Sequence, residues 1–351
     1  VIMGIILSVI GVIFSRILLA IMKTPSDVLD DSVLYLRIFS AGLIFNVIYN
    51  MATGILNAAG NSTKPLQYLA IASVTNIILD LLFIRVFKMG VAGAAIATDI
   101  SQALSCVLAV GYLLRVKSDY KINIKELKID KAIAKEIIRI GLPTAIQNAV
   151  ISFSNVLVQS SVNAYGSTAM AGYTAYLKID GFNILPVLSI SMAVTTFTGQ
   201  NVGAKNLKRV KKGMYDALIM CTIYTVLTGV FLLSLSHQIL SLFTNDSAVI
   251  GYGQLAMKYF CPFYFLLGIL NTLAGTVRGA GKGVPPMLIL LFSMCIFRIF
   301  WIKLALPFFS TIDGIFMLYP ISWSVGMIMM IIYTRYGKWL PQENKRNRNL
   351  D

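Results

Sequence analysis

Charge is scarce in this sequence: Asp, Glu, Lys and Arg make up only 13% of 351 residues, and His237 is the single histidine. One imidazole cannot build a multi-histidine zinc site, and no serine or cysteine stands in a nucleophile motif with it. The four cysteines, Cys106, Cys221, Cys261 and Cys295, all fall inside apolar stretches without metal-ligand spacing. They read as packing thiols rather than disulfides. No basic segment and cleavage site frame the first apolar run, so no cleavable signal peptide is expected. With no paired catalytic constellation, the chain is read as a non-enzyme, with no cofactor.

Apolar residues make up 57% of the chain, more than one soluble core of this size can hide. They come in ten runs of about 20 residues or more, the length that crosses a bilayer. The runs lie at about 1–22, 34–58, 66–87, 91–115, 140–163, 169–197, 217–243, 252–278, 285–307 and 313–335. Lipid offers the backbone no hydrogen-bond partners, so spans this long must be helices. The expected fold is an all-α integral membrane protein with ten transmembrane helices, immersed in the lipid bilayer.

The net charge of +15 has a topological cause. Arg115, Lys117, Lys121, Lys125, Lys128, Lys131, Lys135 and Arg139 crowd one connection. Lys205, Lys208, Arg209, Lys211 and Lys212 crowd another. Lys64, Lys282 and the tail residues Lys338, Lys345, Arg346 and Arg348 fall on the same side if the spans alternate. The other side has Lys23, Arg85 and Lys88 among Asp27, Asp30, Asp31, Asp246 and Asp313. Excess Lys and Arg mark the cytoplasmic face, so the C-terminus is expected there, and nucleic acid is not expected as a partner.

A repeat at an ungapped offset of 221 residues organises the chain, laying Asn50 on Asn271. The same offset lays Gly54 on Gly275, Ala59 on Ala280, Gly60 on Gly281, Pro65 on Pro286 and Gly93 on Gly314. Ser26, Val28, Phe39, Ile100 and Ser101 likewise meet Ser247, Val249, Phe260, Ile321 and Ser322. Such repeats are common in transporters, with the substrate path between the copies. The second copy has six spans and the first four, which predicts two pseudo-symmetric helical bundles and two further helices upstream of Val1. The expected division is a first lobe at 1–115, a basic cytoplasmic linker at 116–139, a six-helix lobe at 140–335 and a cytoplasmic tail at 336–351. In the linker, Ile122, Ile124, Leu127, Ile129, Ile133, Ile137 and Ile138 are interspersed with lysines. That pattern suits either an interfacial amphipathic helix or a plain charged linker.

Two sets of motifs, in order, carry a family resemblance. The first half has ILNAAGNSTKPL, NIILDLLFI and MGVAGAAIATDISQ; the second has IGLPTAIQN, VNAYG, KIDGFNILP and GQNVGAKNLKRVKKG. They resemble the multidrug and toxic compound extrusion (MATE) transporters. The resemblance implies twelve helices in two six-helix lobes, of which these ten spans would be the third to the twelfth. It implies efflux of small organic compounds, often cationic, in exchange for Na⁺ or H⁺ by rocker-switch alternating access in the cell membrane. The chain looks most like the branch named after DinF, whose coupling cation binds in the N-terminal lobe. The acidic residues that the NorM-type branch carries on its seventh and tenth helices have no counterpart in 140–163 or 252–278.

Asp80 is the candidate coupling residue. An ionisable group inside a span costs about 2.5–3.5 kcal/mol on insertion scales and usually faces a cavity or a partner. Asn76 lies one turn earlier on the same face. A carboxylate with an amide oxygen is hard-oxygen ligation, suited to Na⁺, while desolvation also suits Asp80 to carry a proton. Family resemblance adds Thr98 and the backbone carbonyl of Ala94, and implies a further aspartate on the absent first helix. Asn50, Asn57, Asn271 and Arg298 are candidates for the substrate cavity or for bonds between helices. Asp99 reads as structural, and Lys178 and Asp180 as snorkelling or separately bonded residues. The aromatic run Tyr259, Phe260, Phe263, Tyr264 and Phe265, and the methionines Met317, Met327, Met329 and Met330, read as core or lipid-facing before pocket. A drug or cation antiporter, expected as a monomer, is the leading function. A flippase for lipid-linked oligosaccharides or polysaccharides is the alternative, which would want more cavity arginines than Arg298.

Overall fold

A computed structural model describes residues 1–21, 26–309 and 311–340. Lys23, Lys345, Arg346, Arg348 and the side chain of Asp27 lie outside what it describes, as does most of the expected tail. Every regular element among the described residues is a helix or helical turn, and none is a strand. It divides into two compact units, 1–128 and 129–351.

In the first unit, α1 (Ile2–Ile21) and α4 (Gly90–Arg115) pack on α2 (Ser26–Ala58). Helix α3 (Thr63–Asp80) lies against α4 and runs on through a π-type turn, Leu81–Val86. The second unit begins with α5 (Lys131–Asn163), α6 (Ser167–Gly203), α7 (Leu207–Ser234) and the short α8 (Ser236–Ser241). Helices α9 (Ser247–Phe260) and α10 (Tyr264–Gly279) form one long span interrupted by a 3₁₀ turn. Next come α11 (Val284–Leu291) and α12 (Phe297–Phe300), set between π-type turns, and finally α13 (Asp313–Tyr336).

The element bounds obey the repeat offset. Helix α2 at 26–58 corresponds to 247–279, the bounds of the α9–α10 span, and α3 and α11 both begin at corresponding residues, Thr63 and Val284. Helices α4 and α13 end at corresponding residues, Arg115 and Tyr336. The turn glycines match in conformation as well: Gly60 and Gly281 have φ of 82° and 80°. Positive φ crowds any Cβ, which is why both copies keep glycine there.

Nine helical spans among the described residues are long and apolar enough to cross a membrane. The expected tenth, 140–163, is helical within α5 but is diluted by Gln147, Asn148, Ser152, Ser154, Asn155, Gln159, Ser160 and Ser161. The expected linker is also shorter than 116–139. Helix α5 starts at Lys131, where the Asp130 carboxylate accepts from the backbone N–H groups of Ala132 (2.7 Å) and Ile133 (3.2 Å) and caps it. The stretch 116–130 holds only one 3₁₀ turn, Ile124–Glu126, while Ile133, Ile137 and Ile138 of the periodic pattern lie on the first turns of α5.

The large core belongs to the second unit, where Tyr173, Tyr176, Phe260, Tyr264, Phe316 and Trp323 interleave on α6, α9, α10 and α13. Phe260, Tyr264 and Met330 are buried there, so the core reading of the aromatic and methionine runs holds for them, while Phe263 stays exposed. In the first unit the core is smaller: Ala52, Leu56, Ala109 and Leu113 on α2 and α4. Of the span 247–279, 67% of its most apolar window is buried inside the protein, against 17% for the equivalent 28–58. Within the second unit α6 packs on α9 and α10, and α5 on α11.

Candidate functional site

The first unit brings the predicted coupling pair to the end of α3. Asp80 is its last regular residue, and the π-type turn follows directly. Such turns widen the helix and cluster at functional sites. One carboxylate oxygen of Asp80 and the amide Nδ2 of Asn76 are both enclosed and have no hydrogen-bond partner. An enclosed polar atom without a partner costs about 1–3 kcal/mol. The amide can turn by 180° at no other cost, and it then presents its oxygen instead. The two residues therefore offer, in kind, what a hard cation or a proton requires. A carboxylate and an amide oxygen are hard donors, which suit soft metals poorly.

Thr98 and Ala94 lie on α4, the helix packed against α3. The Thr98 hydroxyl donates to the Ala94 carbonyl at 2.9 Å, as threonine often does in a helix. The hydroxyl retains its lone pairs for a ligand, but no hydrogen bond links Thr98 to Asp80 or Asn76.

The repeat gives this pair a control. The positions equivalent to Asn76 and Asp80 are Phe297 and Trp301, whose rings sit 6.2 Å apart. The Trp301 indole donates to the Gly314 carbonyl of α13 at 2.8 Å. Corresponding positions thus carry packed aromatic rings in one copy, where π-type turns flank Phe297–Phe300, and an unpartnered carboxylate and amide at the end of a regular helix in the other. Folding alone does not demand polar residues at these positions.

The remaining candidates scatter. Asn50 is exposed, and its amide donates to the Asn46 carbonyl (2.8 Å) and side chain (2.9 Å). Its repeat partner Asn271 does the same with the Leu267 carbonyl (2.9 Å), while its own carbonyl accepts from Ser191 of α6 (2.7 Å). Asn57 is half-buried on α2. Arg298 is 2% exposed, enclosed by the second unit's core. Its guanidinium donates to Asn155 (3.1 Å), Ser322 (3.2 Å) and the Met294 sulfur (3.3 Å), and lies 4.4 Å from the Tyr319 ring centre. Asp99 lies against α2 so tightly that a Cβ on Gly42 would fall 2.1 Å from its carboxylate. A hollow between α1 and α2, lined by Ser8, Val9, Val12, Ile13 and Ala41, contains none of the candidates.

Sequence reasoning passed over one polar constellation. In the second unit the Tyr264 hydroxyl donates to the Asp180 carboxylate at 2.8 Å, and the Tyr176 and Tyr264 hydroxyls are 2.9 Å apart. Beside them the Tyr173 and Tyr319 hydroxyls meet at 2.5 Å. Asp180 was visible as a carboxylate inside a span, but its partner stands 84 residues away and no local spacing reveals it.

Nine apolar spans among the described residues, an internal repeat and a carboxylate within a span with one enclosed, unpartnered oxygen define a polytopic membrane transporter. The chain belongs to the MATE family, whose model, MatE, matches residues 1–82 and 143–302. A Bacillus subtilis protein named probable multidrug resistance protein YpnP is 29% identical over 336 residues, covering 94% of this chain and 73% of that one. The Thermotoga maritima protein named probable multidrug resistance protein NorM is 26% identical, covering 93% and 72%. Among solved structures, the outward-facing conformation of a multidrug resistance MATE family transporter of the MOP superfamily has a TM-score of 0.88 at 22% identity. It covers 95% of this chain and 76% of the other, and this likeness bears on the fold.

Proposed function

We propose that this chain carries small organic compounds, of the multidrug type that its relatives' names indicate, out of the cell in exchange for Na⁺ or H⁺. Asp80 takes the coupling ion, with Asn76, Thr98 and the Ala94 carbonyl as further oxygen donors, so the coupling site sits in the first unit as in the DinF-like branch. Asn50 and Asn57 on α2 are the residues placed to meet substrate. Asn271 and Arg298, being engaged within the second unit, support its packing instead. The protein sits in the plasma membrane with the basic stretch 116–130 at the cytoplasmic surface, following the positive-inside rule. Alternation between two access states converts the gradient into export, because ion and substrate prefer different states.

The observation that carries this reading is the polar pair Asn76 and Asp80, enclosed and unpartnered where the second copy has Phe297 and Trp301. The test is efflux of a fluorescent organic cation from cells expressing the complete gene, with the sodium and proton gradients collapsed separately. Asp80→Asn keeps the shape and removes the charge. Gradient-driven efflux should fall to background while the amount of protein in the membrane is unchanged. Normal efflux by this variant would show that coupling resides elsewhere.

A further inference from the structure

The Asp180 constellation has no part in the coupling site above. We propose that Asp180 is a second, independent proton-binding site, located in the second unit and wired by a tyrosine relay.

The geometry supports a proton rather than a metal ion. Asp180 lies within the span Ser167–Gly203 on α6. Its carboxylate accepts from the Tyr264 hydroxyl of α10 at 2.8 Å. A tyrosine has one hydroxyl proton, so with that proton spent on Asp180, the Tyr176 hydroxyl must be the donor in the 2.9 Å contact with Tyr264. The proton order is thus Tyr176 to Tyr264 to Asp180. The hydroxyls of Tyr264 and Tyr176 direct their protons along a chain toward the carboxylate, an orientation that suits a proton acceptor rather than a metal ion. They also accommodate a neutral carboxyl, since each hydroxyl can reorient when Asp180 gains a proton.

Among the described residues no lysine or arginine forms a salt bridge with Asp180. The one salt bridge among the described residues is Arg16 with Asp30. Lys178, two positions away, turns its ammonium toward the Phe243 ring, 5.8 Å from its centre. The ionisable groups that feel Asp180 are Tyr173 and Tyr176 on its own helix, Tyr264 on α10, Cys261 in the turn before it and Tyr319 on α13. On α7, Tyr224 binds the Asn183 carbonyl one turn further along, at 3.1 Å. The buried guanidinium of Arg298 on α12 is committed to Asn155, Ser322, Met294 and Tyr319. A carboxylate in an apolar span, bonded to neutral donors and without a salt bridge among the described residues, is a group whose natural counter-charge is a proton. Gain of that proton removes one negative charge from the second unit and leaves every tyrosine with its own.

The purpose of the site rests on the reading of the chain as a gradient-driven exporter, but its existence is tested apart from transport. Infrared difference spectra of the purified complete protein across a pH series report protonated carboxyl groups. A titrating carboxylic-acid band should be lost in Asp180→Asn and kept in Asp80→Asn. Tyr264→Phe should keep the band and move its pH midpoint by about one unit, the equivalent of one hydrogen bond to a charged group. Thermal unfolding of each variant checks that the fold persists. A band unchanged in Asp180→Asn, or a midpoint unmoved in Tyr264→Phe, overturns the inference. Neither result touches Asp80, whose efflux test stands or falls alone.

Discussion

Gly275 on α10 is one of two glycines that α6 approaches closely, Gly279 being the other, and replacing it with alanine probes the seam between these helices. A Cβ at Gly275 would lie 2.5 Å from the Ser191 carbonyl oxygen, 2.7 Å from its hydroxyl and 3.0 Å from the Thr195 hydroxyl. Backbone is what blocks it, so a rotamer change gives no relief. The helices must part, and two bonds across the seam stretch: Ser191 to the Asn271 carbonyl (2.7 Å) and Thr195 to the Gly275 carbonyl (2.9 Å). Overpacking costs about 1–3 kcal/mol and each weakened bond about 0.5–1.5 kcal/mol. Alanine recovers about 1 kcal/mol of helix propensity. The net expectation for Gly275→Ala is a loss of about 1–5 kcal/mol. Gly251 on α9 supplies the control, since nothing lies within 4 Å of its Cβ position, and Gly251→Ala should gain about 0.5–1 kcal/mol. All three tryptophans, Trp301, Trp323 and Trp339, fall in the second unit, so their fluorescence during chemical unfolding of purified protein reports on it. Equal stability of Gly275→Ala and Gly251→Ala would refute the close approach of α6 and α10.

Arg298→Ala should destabilise the second unit by about 3–5 kcal/mol, through the cavity and the partners left at Asn155 and Ser322. Arg298→Met, which refills the space without the charge, should cost far less, and equal losses in the two midpoints would count against a packing role. Asp246 caps α9 by accepting from the backbone N–H groups of Ala248 (2.8 Å) and Val249 (3.4 Å). Asp246→Ala should therefore lower stability by about 1 kcal/mol in the same unfolding assay, and an unchanged midpoint would mean the cap contributes nothing.

Much of this fold was legible because lipid permits few alternatives: a long apolar run must be a helix, and the repeat register then carries across to element ends. What composition hid were the polar ends of those helices. Helix α2 begins at Ser26 rather than near 34, because Asp30, Asp31 and Arg37 break the apolar run without breaking the helix. For the same reason α7 begins at Leu207, ten residues before the apolar stretch; it ends at Ser234, and most of the remaining run to 243 forms the separate α8. Asp80 and Asn76 were legible as a one-turn pair because a helix puts such residues on one face. The Asp180 relay was not, since Tyr264 reaches it from another helix. Arg298 stood out as a charge within a span, but its enclosure depends on α5 and α13, which no local pattern could place.

The two copies differ most where polarity is most costly. At the positions of Asn76 and Asp80, the second copy has Phe297 and Trp301; at the position of its Arg298, the first has Ile77. Near-equal φ at Gly60 and Gly281 and several helix ends in register keep the two copies in step, while π-type turns at Phe292–Ile296 and Trp301–Ala305 break the second copy around the exchanged positions. The difference has a thermodynamic use. An ion that bound both copies alike, and both access states alike, could shift no equilibrium however tightly it bound. With Asp80 on α3 and Asp99 on α4 in the first unit and Asp180 on α6 in the second, each unit can respond to a different occupant. Replacing Asn76 and Asp80 together by Phe and Trp would bring the first copy toward the second at that position. On this argument the doubly substituted protein should still insert and fold, with apolar rings filling the end of α3, but it should no longer move substrate when a gradient is applied. Gradient-driven efflux by that protein would mean that the asymmetry of the copies is not what couples them.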